Sequence, residues 1–219
     1  IYSKGELNTK ILTDLEEFKI IGFNNKVLID STLTELYHDI IWKRSFGSFF
    51  QINHDIGHQI HDHVLNVLKE FKRYSYYGIG GEAGFYGYAL YQQWKTFTFI
   101  TNYESIASDT TKMLKDTSDE SKSETKSIIE TVDYDNVNLN DYYFDNENVL
   151  VLNVSRKGIK DLSKQINKMN FSKIIHIGCC QKFIKRDIIN LSEKYSVEDV
   201  KIYQAYPGTN NFIYVTILS

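Results

Sequence analysis

Apolar and polar positions along this chain follow different periods in different stretches. Residues 1–46 carry short β-prone runs separated by turns. Within them, "FKIIGFNNKVLIDS" sets two runs around Asn24-Asn25, the pattern of a hairpin. From residue 53 to 72 the period becomes helical. In "NHDIGHQIHDHVLNVLKEFK", Ile56, Ile60, Val64, Leu65, Val67 and Leu68 recur close to helical spacing, and Asn53 stands where a cap belongs. "YSYYGIGGEAGFYGYALYQQW" (74–94) reads as a glycine-rich turn feeding an apolar helical stretch, and "TFTFIT" (96–101) as a buried strand.

Between Lys115 and Asn148 the chain turns polar and acidic, interrupted by "SIIETV", which predicts one more strand. Its first part, "KDTSDESKSETK", reads as a solvated loop or frayed helix. Strands are predicted in "NVLVLNVS", "SKIIHIGC", "VKIYQAYP" and "NFIYVTIL", with helices in "GIKDLSKQINKM" and "KRDIINLSEKY". Strands that are apolar throughout, alternating with helices, predict an α/β fold with a mostly parallel sheet covered on both faces. The last two strands, joined by a short turn, predict an antiparallel edge. The expected organisation is a β-rich segment over 1–46 followed by one α/β domain over 47–219.

At 219 residues, one substantial core is expected. The net charge of -3 gives no global basic field, so a polyanion would have to be held by a local patch. The two cysteines are neighbours in sequence and form no disulfide framework, which points to a reducing, cytoplasmic setting. No apolar run approaches the roughly 20 residues that span a bilayer. The opening at Ile1 resembles neither a signal nor a transit peptide. One proline amid abundant Asn, Lys, Ile and Tyr is the composition of an AT-rich genome, such as a virus or parasite has.

Three clusters carry candidate chemistry. "YGIGG" (77–81) follows a strand and precedes a helix, where glycines let a backbone approach a nucleotide or adenosyl group, or simply make a turn. His54, His58 and His61 share a helix face, with His63 nearby. Zinc binding is open there, but without a closed ligand set a solvated face is the expectation, and no metal is assigned. Cys179 and Cys180 would be reactive beside a helix N-terminus or Lys182, Lys185 and Arg186, and otherwise act as small hydrophobes.

Taken in order, several stretches resemble the uracil-C5 RNA methyltransferase family, which uses S-adenosylmethionine. "SFFQIN" (48–53) is similar to F-F-Q-V-N, where the Gln, here Gln51, contacts the cofactor. "YYGIGG" sits where the family has L-Y-C-G-x-G, and "LNVSRKGI" (152–159) lies over D-P-P-R-x-G. "IHIGCCQKFIKRDI" lies over V-S-C-N-P and a helix containing Arg-Asp, which puts Cys179 on the nucleophile. "YPGTNNFIYV" (206–215) resembles F-P-x-T-x-H-x-E-x-V. The resemblance implies a Rossmann-like class I methyltransferase fold over residues 12–219. It also implies cofactor contacts from Gln51, Tyr77, Gly78, Gly80, Asn102 and Asn153. The family's N-terminal RNA-binding domain has no counterpart in these residues.

In the family the thiolate attacks carbon 6 of uracil, and a glutamate later removes the carbon-5 proton so that the cysteine can leave. Here the glutamate position holds Ile213 and the preceding histidine position Asn211, and Asn153, Asn102 and Tyr74 stand where acids are expected. An amide accepts ribose hydroxyls less well than a carboxylate, and Ile takes no proton. The expectation is therefore a divergent member that binds S-adenosylmethionine weakly or not at all and has lost the reaction. It would serve as an RNA-binding, protein-binding or structural subunit, with a protein partner or second copy. Arg156, Lys157, Lys182, Lys185 and Arg186 are the candidate RNA patch. The rival readings are an active methyltransferase using Cys179 and a zinc module on the histidine helix.

Overall fold

The computed structural model describes residues 2–3, 21–23, 26–29, 33–45, 48, 53–118, 125–133, 136–142, 147–205, 208–209 and 212–219. The chain divides into two compact units, Ile1–Ser48 and Phe49–Ser219. In the first, β1 (Tyr2–Ser3), β2 (Ile21–Phe23) and β3 (Lys26–Ile29) make a three-stranded sheet. β2 and β3 pair antiparallel, as the hairpin reading expects, and the turn residues Asn24 and Asn25 lie outside the described residues. β4 (Leu33–Tyr37) and β5 (Ile40–Arg44) form a second hairpin. Across it the Arg44 guanidinium donates to Glu35 Oε1 at 3.1 and 2.6 Å.

The second unit is built on a seven-stranded sheet in the order β11-β12-β10-β9-β6-β7-β8. These are β6 (Ser75–Ile79), β7 (Thr96–Thr101), β8 (Lys126–Thr131), β9 (Asn148–Asn153), β10 (Lys173–Gly178), β11 (Val197–Tyr203) and β12 (Ile213–Leu218). Five neighbouring strands, β8 to β10, run parallel, and β12 runs antiparallel between β10 and β11. The closing antiparallel pair lies at one side of the sheet, as expected, with its reversed member one place in from the edge. The helices are α1 (His54–Leu68), α2 (Ala83–Ala89), α3 (Glu104–Ser118), α4 (Lys160–Ile166) and α5 (Gln181–Leu191). The mostly parallel α/β architecture read from the apolar pattern is the one observed.

The sequence explains these elements directly. β6 and β9 are buried along their whole length, so their apolar runs need no alternation. At α1, Asn53 Oδ1 accepts the Ile56 N–H at 3.2 Å and closes the first turn. The helix then buries Ile60, Val64 and Leu68, each stabilising the fold by about 1.5–3 kcal/mol through area removed from water. α3 differs from the sequence reading. No helix is expected before Lys115, yet one runs from Glu104 because Ile106, Ala107, Met113 and Leu114 bury one side of an otherwise polar segment. Lys115–Ser118, read as a solvated loop or frayed helix, are its last turn.

Strand order reverses between β6 and β9: the chain steps outward through β7 and β8, then returns to lay β9 and β10 on the other side. In open α/β sheets that switch point, at the carboxyl ends of the strands, is where ligands bind.

Candidate functional site

The β6–α2 connection turns at Gly80, whose φ of 87° only glycine adopts without strain. The Gly80 N–H donates to the Ile100 carbonyl at 2.8 Å, which ties the turn to β7. Beneath it the Tyr76 hydroxyl donates to the Ala83 carbonyl at 2.5 Å. Tyr77 and Gly78, expected at a cofactor, lie inside β6 instead. Tyr77 is buried with Phe171, and a Cβ on Gly78 would meet the Tyr76 ring at 2.9 Å. Of the three, Gly80 stands at the turn. Tyr74, expected to occupy an acid's place, precedes β6 at the amino end of the strand and packs on Phe71, away from the turn.

Beside the turn, Asn102, Tyr103, Thr131, Asp133, Ser155 and Lys157 border a cleft of about 470 Å³ at the carboxyl ends of β7, β8 and β9. The Val132 N–H donates to the Thr101 carbonyl at 2.9 Å, which keeps the two strand ends in register. Asn102 is thus at the cleft, as its place in the chain suggested. Tyr103, Asp133 and Ser155 were not singled out from sequence. Each stands two residues past a strand end, and that placement is the signal that would have found them.

Asn153, the last residue of β9, faces inward rather than into open solvent. Its amide donates to Glu82 Oε2 at 3.3 Å, and His61 Nε2 lies 3.5 Å from Glu82 Oε1. All three are buried, so the expectation that His61 shares a solvated face with His54 and His58 is corrected. His61 stacks against Phe85 with ring centroids 4.6 Å apart. His63 belongs elsewhere again, with Nδ1 3.1 Å from the Tyr203 hydroxyl and Nε2 3.2 Å from Asp199. Burial and the Lys201 charge lower its pKa against the pull of Asp199. Among the described residues, no three His, Cys, Asp or Glu side chains are grouped to hold a metal ion.

Cys179 follows the last residue of β10, and Cys180 occupies the N-cap of α5. Both are free thiols, partly exposed, beside a narrow cavity that Ser155, Gly158, His176 and Phe183 also line. β12 starts at Ile213 and runs back along β10, with Tyr214 opposite Gly178. The pairing of the two strands ends there, one residue short of Cys179 and Ile213, and Ile213 pairs with Tyr203 of β11. Ile213 is 3 % exposed. Gln51 and Asn211 lie outside the described residues.

A buried carboxylate holds the loop that joins the two ends. Asp187 on α5 accepts the Ile159 N–H at 2.9 Å on one oxygen and the Arg186 guanidinium at 2.6 and 2.9 Å on the other. His176 Nε2 lies 3.5 Å from its Oδ2. Burial acts to raise the Asp187 pKa, but the bonds from His176, Ile159 and Arg186 outweigh it and hold the carboxyl below its usual range. Arg186 also donates to the Lys157 carbonyl at 2.9 Å. Of the five expected RNA-contacting cations, Arg156, Lys157, Lys182 and Lys185 are exposed, while Arg186 is committed to this clamp.

No protein-family model and no curated protein matches the chain. Solved structures do. Over 100% of its length it superposes on the Pyrococcus abyssi tRNA (uracil-54, C5)-methyltransferase in complex with S-adenosyl-L-homocysteine, with a TM-score of 0.72 and 15% identity. The chain has the class I methyltransferase fold. It spans 55% of that enzyme's chain. The P. horikoshii TYW2 in complex with MeSAdo matches 95% of the chain at 9% identity, with 80% of its own chain covered and a TM-score of 0.64. The M. jannaschii tRNA m1G37 methyltransferase matches 96% at 13% identity, with 66% of its own chain covered and a TM-score of 0.60.

Proposed function

We propose that this chain is a divergent relative of the uracil-C5 RNA methyltransferases that keeps a nucleoside cleft and a nucleophile's cysteine but does not methylate uracil. The observation that carries this reading is that Cys179 and Ile213 each stand one residue beyond the last β10–β12 pair, Gly178 with Tyr214, and that Ile213 is buried. A thiolate added to carbon 6 of uracil leaves only after a base removes the carbon-5 proton. Ile213 is an alkyl side chain sealed in the core, and the carboxylates described nearby are engaged: Glu82 by the Asn153 amide, Asp187 by its clamp. Losing a general base alone lowers a rate by roughly 100- to 10,000-fold.

The residues bordering the cleft fit a nucleoside. The Asp133 carboxylate can accept an exocyclic base amine, the Tyr103 ring offers a stacking face, and the Asn102 amide can meet ribose hydroxyls. An adenosyl cofactor held there would supply an activated methyl group. With an amide in place of a carboxylate at Asn102, its hold on S-adenosylmethionine is weak. Exposed Arg156, Lys157, Lys182 and Lys185 supply RNA contacts near the cysteine end, so the domain's role is to contact RNA rather than to modify it.

The test is incubation with S-adenosylmethionine labelled in its methyl group and mixed cellular RNA. The expected result is no labelled 5-methyluridine. Label in 5-methyluridine that disappears in Cys179→Ala overturns the reading and makes the protein an active methyltransferase.

A further inference from the structure

The charge at the cleft points to a ligand other than a neutral ribose. In sheets of this type, a carboxylate at the end of the strand next to the glycine turn accepts the ribose hydroxyls, while a cation there accommodates a phosphate on the same ribose. Here that strand is β7, and Asn102 follows its last residue. The acid that would repel a phosphate is absent from this position, and Lys157 reaches the same cleft from the loop after β9.

Lys157 is held in place by the fold. Its carbonyl accepts from Arg186, its N–H donates to Ser155 Oγ at 3.4 Å, and the next two residues are fixed by the turn at Gly158 and by the Ile159 N–H on Asp187. Its ammonium enters no ion pair among the described residues, although Lys160, Lys164 and Lys173 each do. Asp133, the carboxylate at the cleft, lies after β8, on the far side of Asn102 from the β9 loop that carries Lys157. A base amine and a ribose phosphate therefore have separate partners of opposite charge in one cleft.

We propose that the cleft takes a nucleoside phosphorylated on its ribose hydroxyls, with the phosphate on Lys157 and Asn102 and the base amine on Asp133. This rests on the reading of the cleft as a nucleoside site, and it names a different ligand class from S-adenosylmethionine. The phosphate can belong to a free nucleotide or to an RNA chain, whose riboses carry it at the same hydroxyl.

Titration calorimetry of the full chain at low salt would compare adenosine, S-adenosylmethionine, adenosine 3′-monophosphate and the dinucleotide adenylyl-3′,5′-adenosine. The 3′-monophosphate or the dinucleotide is expected to bind about tenfold more tightly than adenosine, the value of one charge-assisted contact, with the gain shrinking as salt rises. Whichever of the two binds more tightly identifies the free or the chain-borne source. Lys157→Glu should bring the ratio of phosphorylated ligand to adenosine to one or below. Asn102→Asp should also lower it, while tightening S-adenosylmethionine. Adenosine or S-adenosylmethionine binding as well as or better than both phosphorylated ligands overturns this proposal and leaves the nucleoside site standing. No binding by any of the four, with the protein folded by circular dichroism, overturns both.

Discussion

At the β7–β8 end of the sheet's carboxyl edge, Asn102, Tyr103 and Asp133 border an open polar cleft, whereas at the β10–β12 end a partly exposed Cys179 follows β10 and a buried Ile213 opens β12. The two ends belong to one sheet and one fold, yet they are made by different strands. The first residue of β12 is not among those that line the cleft, so a change there leaves the cleft's own residues untouched. Holding a nucleoside and turning over a uracil are thus separable in this architecture. The separation is incomplete at one place. Ser155 and Gly158 line both, and α5 holds their loop through the Ile159 N–H on Asp187.

That shared loop is where the comparison breaks most easily. Asp187→Ala leaves the Ile159 N–H and His176 without their carboxylate in the interior. It is expected to cost about 3–5 kcal/mol, with loss of ligand binding at the cleft as well as altered Cys179 reactivity. Urea unfolding and thiol alkylation rates measure the two effects. The same group gives a pH dependence. Because the folded state holds Asp187 below its ordinary value, its stabilisation is complete above the unfolded carboxylate value near pH 4. It fades as pH falls through the lower folded value. The stability difference between wild type and Asp187→Asn should therefore be constant near neutrality and shrink in acid.

Gly158→Ala is expected to cost about 2–3 kcal/mol. A Cβ there would stand 2.2 Å from Asp187 Oδ2 on a backbone with φ of 73°. Unfolding midpoints measure it, and a neutral result would mean that the loop is held by something other than Asp187. A smaller effect, about 1 kcal/mol, is expected for Tyr76→Phe, which removes the bond to the Ala83 carbonyl beneath the turn. That change should weaken adenosine binding without changing Cys179 alkylation. Smallest is Cys179→Ala, below about 1 kcal/mol, since the thiol is partly exposed and forms no disulfide. Calorimetry should find the cleft's affinities unchanged by it.

The sheet was legible because its strands are buried and apolar throughout, and α1 because Asn53 and the Ile60–Val64–Leu68 stripe state both its start and its inner face. α3 was not, since its inner face mixes apolar Ile106, Ala107, Met113 and Leu114 with buried Asp109 and Thr110. The places of Cys179 and Asn102, just after β10 and β7, were legible from the apolar runs that precede them. Tyr77 and Gly78 lie within β6, where a glycine that seats a tyrosine ring reads the same as one needed by a ligand. The clamp joins residues 28 positions apart, so no local pattern announces it. His61 had a usable signal. It falls four residues after buried Gly57 and four before Leu65, on the apolar stripe, and its charge type concealed that.

The position of β12 has a consequence for how the molecule is made. Among the described residues β11 pairs with β12 alone, and β12 also covers the flank of β10. During synthesis, β11 therefore leaves the ribosome with nothing to bond to, and Val200 and Ile202 stay exposed even when it is paired. Until Ile213–Leu218 emerges and slots between its two neighbours, the nascent sheet has an open side at β10 and a loose hydrophobic strand beside it. Chains halted before residue 213 should be the ones that chaperones hold and proteases cut.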